Sequence, residues 1–341
     1  MVPGGALPVS QSMLDPPSPR SRARFPESFG QRTLLTVDTE ENFDWEAPFS
    51  ADGYGLQHVM RLRKFQEFCE GLSVSPVYLV DWPIATSPMA VEMLGDAVRR
   101  GTAEIGIQLH PWVNPPMVEQ INDRNSFAGN LPDGLERAKF MRLRDEIERR
   151  FDTNALIYRA GRYGLGPDTG AMLADEGIAI DTSVRTLFDY SDAGGPDYSA
   201  HPGWPYWADN RHRLLELPVT SVYWGMLRRQ GRAVQSLCAR IPYLGGILSR
   251  TAMLERIALT PEGVTAEEAL RGIDIAIDDG LPLMVLSFHS PSLQPGHTPY
   301  VRTEDDLDEL YDWFRRIYGY CRQRGIAPTT VAEIIGAVEK P

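Results

Sequence analysis

TLLTVDTEENFDW, Thr33 to Trp45, changes character part-way along. Its first five residues, TLLTV, are apolar or β-branched and read as a buried strand. Asp38 and Glu40 follow, two residues apart. On a strand, positions i and i+2 share a face, so the two carboxylates stand side by side. They repel each other unless a cation or a reaction uses them. The stretch therefore predicts a core strand with a functional tip, and the rest of the chain must supply the partners of these acids.

Outward from this strand, short apolar runs alternate with helical patterns. Further strands are expected at Ser75–Pro83, Ala103–Leu109, Ala155–Gly161, Ile178–Val184, Leu214–Thr220 and Leu281–Ser290, with a weak last one near Thr330. Helical spacing is found at Leu56–Leu72, Met89–Gly101, Leu135–Phe151, Pro167–Gly177, Ala266–Gly280 and Glu304–Gly325. Alternation of this kind, with near-continuous apolar strands, implies parallel strands buried on both faces. Seven or eight strands suit a barrel. A doubly wound nucleotide-binding sheet is disfavoured because no Gly-rich phosphate loop follows the first strand. Two segments break the rhythm: the aromatic, Gly- and Pro-rich Phe188–Trp207, and Val222–Thr260, which reads as helical and apolar.

The 341 residues are 43% hydrophobic and 23% charged, the composition of a globular protein. A formal net charge of −12 argues against a nucleic-acid or anionic-membrane binder, which needs a basic stripe. Cys69, Cys238 and Cys321 have neither disulfide-framework nor zinc-ribbon spacing. No apolar run reaches the ~18 residues of a membrane span. Residues 1–30, rich in Pro, Ser and Gly, lack signal-peptide layout and are expected to be a disordered leader on a cytoplasmic protein, with residues 31–341 as a single domain.

Asp38, Asp81, His110, Arg159, Asp181 and His289 each fall at or just past the C-terminal end of an expected strand. In a parallel barrel those ends share one face, where active sites form. Asp81 and Asp181 are also the residue type that turns and caps favour. His and Arg are not. Trp45, Trp82, Trp112, Trp204, Tyr206 and Trp207 are expected around the same face, where aromatic rings suit sugar stacking as well as packing. Trp112 is the substrate-binding candidate among them.

The segments LLTVDTE, EIGIQLHPW, YRAGRYG and LSFH, in this order and each at a strand end, resemble the motifs of the polysaccharide deacetylases with NodB homology, carbohydrate esterase family 4, and in particular their WalW-like branch. The resemblance runs from about Thr33 to about Ile335. It implies a distorted (β/α) barrel of about seven parallel strands, an N-acetylated carbohydrate substrate of polysaccharide or lipopolysaccharide biosynthesis, and a divalent metal, zinc with cobalt or nickel as alternatives. The metal polarises an acetamide carbonyl and activates a water. By match, Asp38 is the general base and His289 the acid that protonates the leaving amine. Arg159 orients Asp38 through two hydrogen bonds. Arg162 and Tyr163 line the groove, Tyr163 as a candidate oxyanion donor. Glu40 and His110 are the metal ligands, and Asp181 is a candidate carboxylate partner for His289.

The chain departs from the family pattern at two ligand positions. Thr39 stands where a second Asp is usual, and Gln108 where the first of two histidines is expected. Asn114 offers an amide oxygen four residues past His110, but amides are weak zinc ligands. Two other readings therefore stay open. One is a non-catalytic carbohydrate-binding relative that has lost the metal. The other is an amidohydrolase acting on a small non-sugar amide.

Overall fold

A computed structural model of the chain describes residues 12–44, 47–231, 234 and 253–340. Its strands are β1 (Arg32–Thr39), β2 (Val77–Val80), β3 (Glu104–Leu109), β4 (Ile157–Ala160), β5 (Ile180–Asp181), β6 (Tyr206–Trp207), β7 (Leu215–Glu216), β8 (Ser221–Trp224), β9 (Glu255–Ala258), β10 (Leu283–His289) and β11 (Ala327–Pro328). The main sheet runs β10-β1-β2-β3-β4-β5-β7-β6. It is parallel throughout except for the β6–β7 pair. The sheet curls until Val219 bridges both Arg185, just past β5, and Val285 on β10. That contact closes a distorted barrel.

The interior explains the patterning of the strands. On β1 the inward residues are Leu34, Thr36 and Asp38, while Leu35 and Val37 pack outward under the helices. β10 climbs the same way through Leu283, Val285, Ser287 and His289. Ile157 is followed inward on β4 by Arg159. Each strand thus passes from an apolar floor to a polar rim at its C-terminal end. The floor is sealed by Val331 and Ile334 of the last helix. Each such buried aliphatic side chain contributes about 1.5–3 kcal/mol.

The helices are α1 (Leu62–Gly71), α2 (Trp82–Thr86), α3 (Pro88–Arg99), α4 (Leu135–Phe151), α5 (Thr169–Asp175), α6 (Ala266–Asp278), α7 (Glu304–Gln323) and α8 (Val331–Ala337). Thr265, Thr303 and Thr330 start the last three with reciprocal capping boxes. None of the described helices is long and apolar enough to cross a membrane.

Three expectations need correction. The second strand ends at Val80, and Asp81 instead caps α2, with Pro83 inside its first turn. Asp-x-Pro is a helix-start signal as much as a strand stop. Val222–Thr260 is not helical at its ends, which pair as the antiparallel strands β8 and β9; residues 235–252, Cys238 among them, lie outside the described residues. Residues 12–30 lie against the barrel, with Met13 and Phe29 buried and the Met13 carbonyl 3.1 Å from His201 Nε2.

Candidate active site

The strand register brings the polar rim together. Asp38 of β1 pairs with His289 of β10, and Gln108 of β3 with Arg159 of β4. These four residues, with Glu40, His110, Arg162 and Tyr163, line a cavity of about 310 Å³ at the C-terminal ends of the strands.

Arg159 is 1% exposed and every arm of its guanidinium is engaged. Nη1 reaches Asp38 Oδ1 at 2.5 Å and Ser287 Oγ at 2.9 Å; Nη2 reaches Thr36 Oγ1 at 2.9 Å; Nε donates to the Thr182 carbonyl at 2.9 Å. A buried guanidinium left short of partners would cost several kcal/mol. Asp38 therefore receives one strong charged hydrogen bond from Arg159, not the expected two, and Ser287 Oγ approaches its other oxygen at 3.4 Å.

Across from this pair, His289 Nε2 lies 3.7 Å from Asp38 Oδ2. Its Nδ1 is 2.7 Å from Glu262 Oε2, and its peptide N–H donates to Glu262 Oε1 at 3.1 Å. Ser292 Oγ fixes the same carboxylate at 2.6 Å. Burial alone would lower the His289 pKa, but the charges of Glu262, Glu40 and Asp38 outweigh it and push it up to about 10. The partner of His289 is thus Glu262. Asp181, the residue expected there, instead accepts from Ser183 Oγ at 2.7 Å and sits beside the buried Glu216. No local pattern around residue 262 could have paired it with residue 289; the contact depends on the segment past β9 lying along β10, where the Ser287 N–H donates to the Leu259 carbonyl at 3.2 Å.

His110 lies between two glutamates. Nε2 faces Glu40 Oε2 at 3.4 Å, and Nδ1 faces Glu41 Oε2 at 3.0 Å. Glu41 Oε1 takes the Trp112 indole N–H at 2.7 Å, and the Trp112 ring stacks on the imidazole at 4.3 Å. Gly161 makes this placement possible: a Cβ there would come within 2.5 Å of His110 Cδ2. The following residues, Arg162 and Tyr163, turn the chain with φ of 56° and 60°. Left-handed backbone at two non-glycine residues costs about 1–3 kcal/mol each and clusters at functional sites.

Two donor sets around His110 fit a divalent cation. Glu41, Asp81 and His110 each offer a ligand atom, all within 4.8 Å of one another. However, every oxygen of Glu41 and Asp81 already accepts an N–H: from Trp112 and His110, and from the peptides of Ile84 and Glu41 at 2.9 Å each. The other set faces the cavity. It comprises Glu40, His110 Nε2 and Gln108, whose buried Oε1 has no hydrogen-bond partner among the described residues. Burial pushes the Glu40 carboxyl up to about 8, against the lowering effect of His289 and His110. A cation beside it would hold it ionised. Glu41 was not singled out in the sequence, although it stands directly after Glu40.

The remaining expected residues divide. Trp112 lines the cavity but is only 2% exposed, its faces covered by His110 and by Phe49 at 4.6 Å. Asn114 turns away, its Nδ2 donating to the carbonyls of Pro115 and Lys139. Trp82, Trp204, Tyr206 and Trp207 are absent from the lining, and Trp45 lies outside the described residues. The aromatic and cationic walls come instead from Phe43, Phe49, Tyr190, Tyr300 and Arg185.

No family model matches the chain, and no curated protein matches it. Among solved structures it is similar to a probable polysaccharide deacetylase from Pseudomonas aeruginosa PAO1, with 12% identity over 94% of this chain and 93% of that one and a TM-score of 0.50. It is also similar to PuuE allantoinase, with 12% identity over 97% of each chain and a TM-score of 0.50. The Bc1960 peptidoglycan N-acetylglucosamine deacetylase follows at 11% identity, 94% coverage of each chain and a TM-score of 0.42. For the first two, at such identities, the likeness is one of fold: a curled, mostly parallel α/β barrel.

Proposed function

We propose that the chain is a metal-dependent deacetylase that removes the N-acetyl group from an amino sugar of polysaccharide or lipopolysaccharide biosynthesis. The observation that carries this reading is the adjacent pair of supported groups: Asp38 held by Arg159, and His289 held by Glu262, 3.7 Å apart at one side of the cavity. A base and an acid side by side, both within reach of one reacting amide, are what hydrolysis of a C–N bond needs. Asp38 takes a proton from the attacking water as its oxygen bonds to the acetyl carbon. His289, protonated at neutral pH, gives its proton to the nitrogen as the C–N bond breaks. Acetate and the free amine leave.

Glu40, His110 Nε2 and Gln108 would hold a divalent metal, zinc in this reading; when bound it supplies the positive charge that polarises the carbonyl and acidifies the water. Glu41 keeps His110 Nδ1 engaged, so Nε2 is left for the cavity side. Such outer partners typically contribute 10–100-fold in metal affinity.

The test is acetate release from N-acetyl sugars by the zinc-loaded protein. Asp38→Asn and His289→Ala should each abolish it while circular dichroism stays unchanged. Bound metal, about one per chain in the wild type, should be lost in Glu40→Ala and His110→Ala. Near-normal turnover in either of the first two variants would overturn the assignment of roles. The small cavity favours one second reading, a hydrolase of a small non-sugar amide; turnover of such amides with none of N-acetyl sugars would select it.

A further inference from the structure

The chain carries 46 acidic residues against 34 Lys and Arg, so an arginine here does not lack for acids. Yet Arg162 and Arg185, which line the cavity, have no carboxylate within 4.0 Å among the described residues. Aromatic faces hold them instead. The Arg162 guanidinium lies 4.1 Å from the Phe127 ring centroid and 4.9 Å from that of Phe49, with Ser126 Oγ and the Asp123 carbonyl as its acceptors. Arg185 lies 3.9 Å from Phe188 and 5.3 Å from Tyr163; its Nη1 reaches Tyr190 Oη at 3.4 Å, and its buried Nε has no partner among the described residues.

A third arginine adds to the positive field. Arg256 covers the Phe188 ring at 3.7 Å and donates to the Leu187 carbonyl, again with no acid in ion-pair range among the described residues. The two cations on one ring repel each other. Of the acids that share the cavity, Asp38, Glu40 and Glu262, the last adds a favourable charge at Arg185, but none forms an ion pair with it among the described residues. Asp38 is committed to Arg159 and Glu262 to His289 and Ser292. Arg159 and Arg185 both lie over the Tyr163 ring, at 5.9 and 5.3 Å, which sets Arg185 one aromatic ring from the Asp38–Arg159 pair. The cavity therefore has an acid–base side at β1 and β10 and a cationic side at the ends of β4 and β5. Guanidinium forks match carboxylate and phosphate oxygens. A volume of about 310 Å³ suits roughly one sugar, which places the anion and the reacting amide on the same sugar unit.

We infer that the substrate is a monomeric amino sugar bearing a phosphate or carboxylate, and that Arg185 and Arg162 bind that anion. The inference rests on the deacetylase reading for the amide but not for the charge. Its test is calorimetric binding in the His289→Ala background, where removing a cation can only work against anion preference. The ligands are N-acetylglucosamine, N-acetylglucosamine 6-phosphate and N-acetylglucosaminuronate.

At least one charged sugar should bind about 10- to 100-fold tighter than the neutral one, the range of a hydrogen-bonded charge pair. Which of the two does so identifies the anion. Added Arg185→Met or Arg162→Met should each cut the advantage to about three-fold or less, whereas Arg185→Lys, which keeps the charge, should retain part of it. Equal binding of all three sugars, or an advantage that survives both Met variants, overturns the inference. Acetate release by the wild type is followed separately. Release with no charge preference leaves the deacetylase reading standing alone. Selective binding of the anionic sugar without release from any sugar leaves the anion site standing and removes the deacetylase.

Discussion

At the scale of single residues, the site depends on how each reactive group is held. Glu262 fixes His289 through its ring and its peptide at once, and Ser292 fixes Glu262. If His289 is the general acid, Glu262→Gln should lower kcat on the order of 10²-fold. The variant should also move the alkaline limb of the pH–rate profile to lower pH. The sign follows from the charges: Glu262 is the largest influence raising the His289 pKa toward about 10, so without it the proton leaves earlier. The linked stability has the same sense, fully present below the unfolded-state value near 6.5 and lost as pH climbs through about 10. An unmoved alkaline limb would remove His289 from that role. Sequence placed Asp38, Glu40, His110, Arg159 and His289 at strand ends, and the structure gathers all five around one cavity. Glu41, Arg185 and Glu262 were not legible. Glu41 and Glu262 act through a histidine, and all three are brought to the site by register or by a loop; spacing along the chain carries no such information.

At the scale of elements, periodicity was most reliable where one face is buried along many turns. Leu135–Phe151 is a helix over the span its pattern gives, with Phe140, Leu143 and Ile147 buried. It was least reliable where apolar runs are short, because a short run suits strand or helix alike; the ends of Val222–Thr260 failed in this way. The contact between α4 and α5 makes a separate prediction. Glu136, half-buried on α4, accepts from Thr169 Oγ1 at the start of α5 at 2.7 Å. Burial, with smaller contributions from Asp168 and Asp181, pushes its pKa up to about 7 despite the hydroxyl. A raised carboxyl stabilises the fold below its unfolded value near 4.5, and that stability is lost as pH rises to about 7. The loss should be about 1–3 kcal/mol, after allowing for partial solvent screening. Melting temperatures at pH 4.5 and 7.5 should therefore differ less in Glu136→Gln than in the wild type. An equal difference in both proteins would show that Glu136 titrates normally.

At the scale of the whole molecule, the barrel is a sheet that must meet itself, and it does so through very little backbone. Strands β1 to β4 and β10 pair over three to seven residues, but closure rests on Val219 and its neighbour. Thr220 donates its N–H to the Val285 carbonyl at 3.2 Å, and its Oγ1 accepts the Val285 N–H at 2.9 Å. That side chain replaces a strand-to-strand bond at the seam, a substitution sequence patterning cannot show, since LLELPVT reads as an ordinary strand whichever atom closes the ring. Thr220→Val keeps the shape and removes the acceptor, leaving the fully buried Val285 N–H without a partner. An orphaned buried donor costs about 1–3 kcal/mol. The denaturation midpoint should fall by a corresponding amount with an unchanged m-value, and the Val285 amide should exchange faster than amides of β2 and β3. Because β10 carries Ser287 and His289 beyond the seam, the acetate release expected of the proposed deacetylase should fall as well, in proportion to the loss of protection at Val285. If exchange rises uniformly over the sheet instead, closure is not a local event at Thr220, and the acid on β10 is held in register by its pairing with β1 alone.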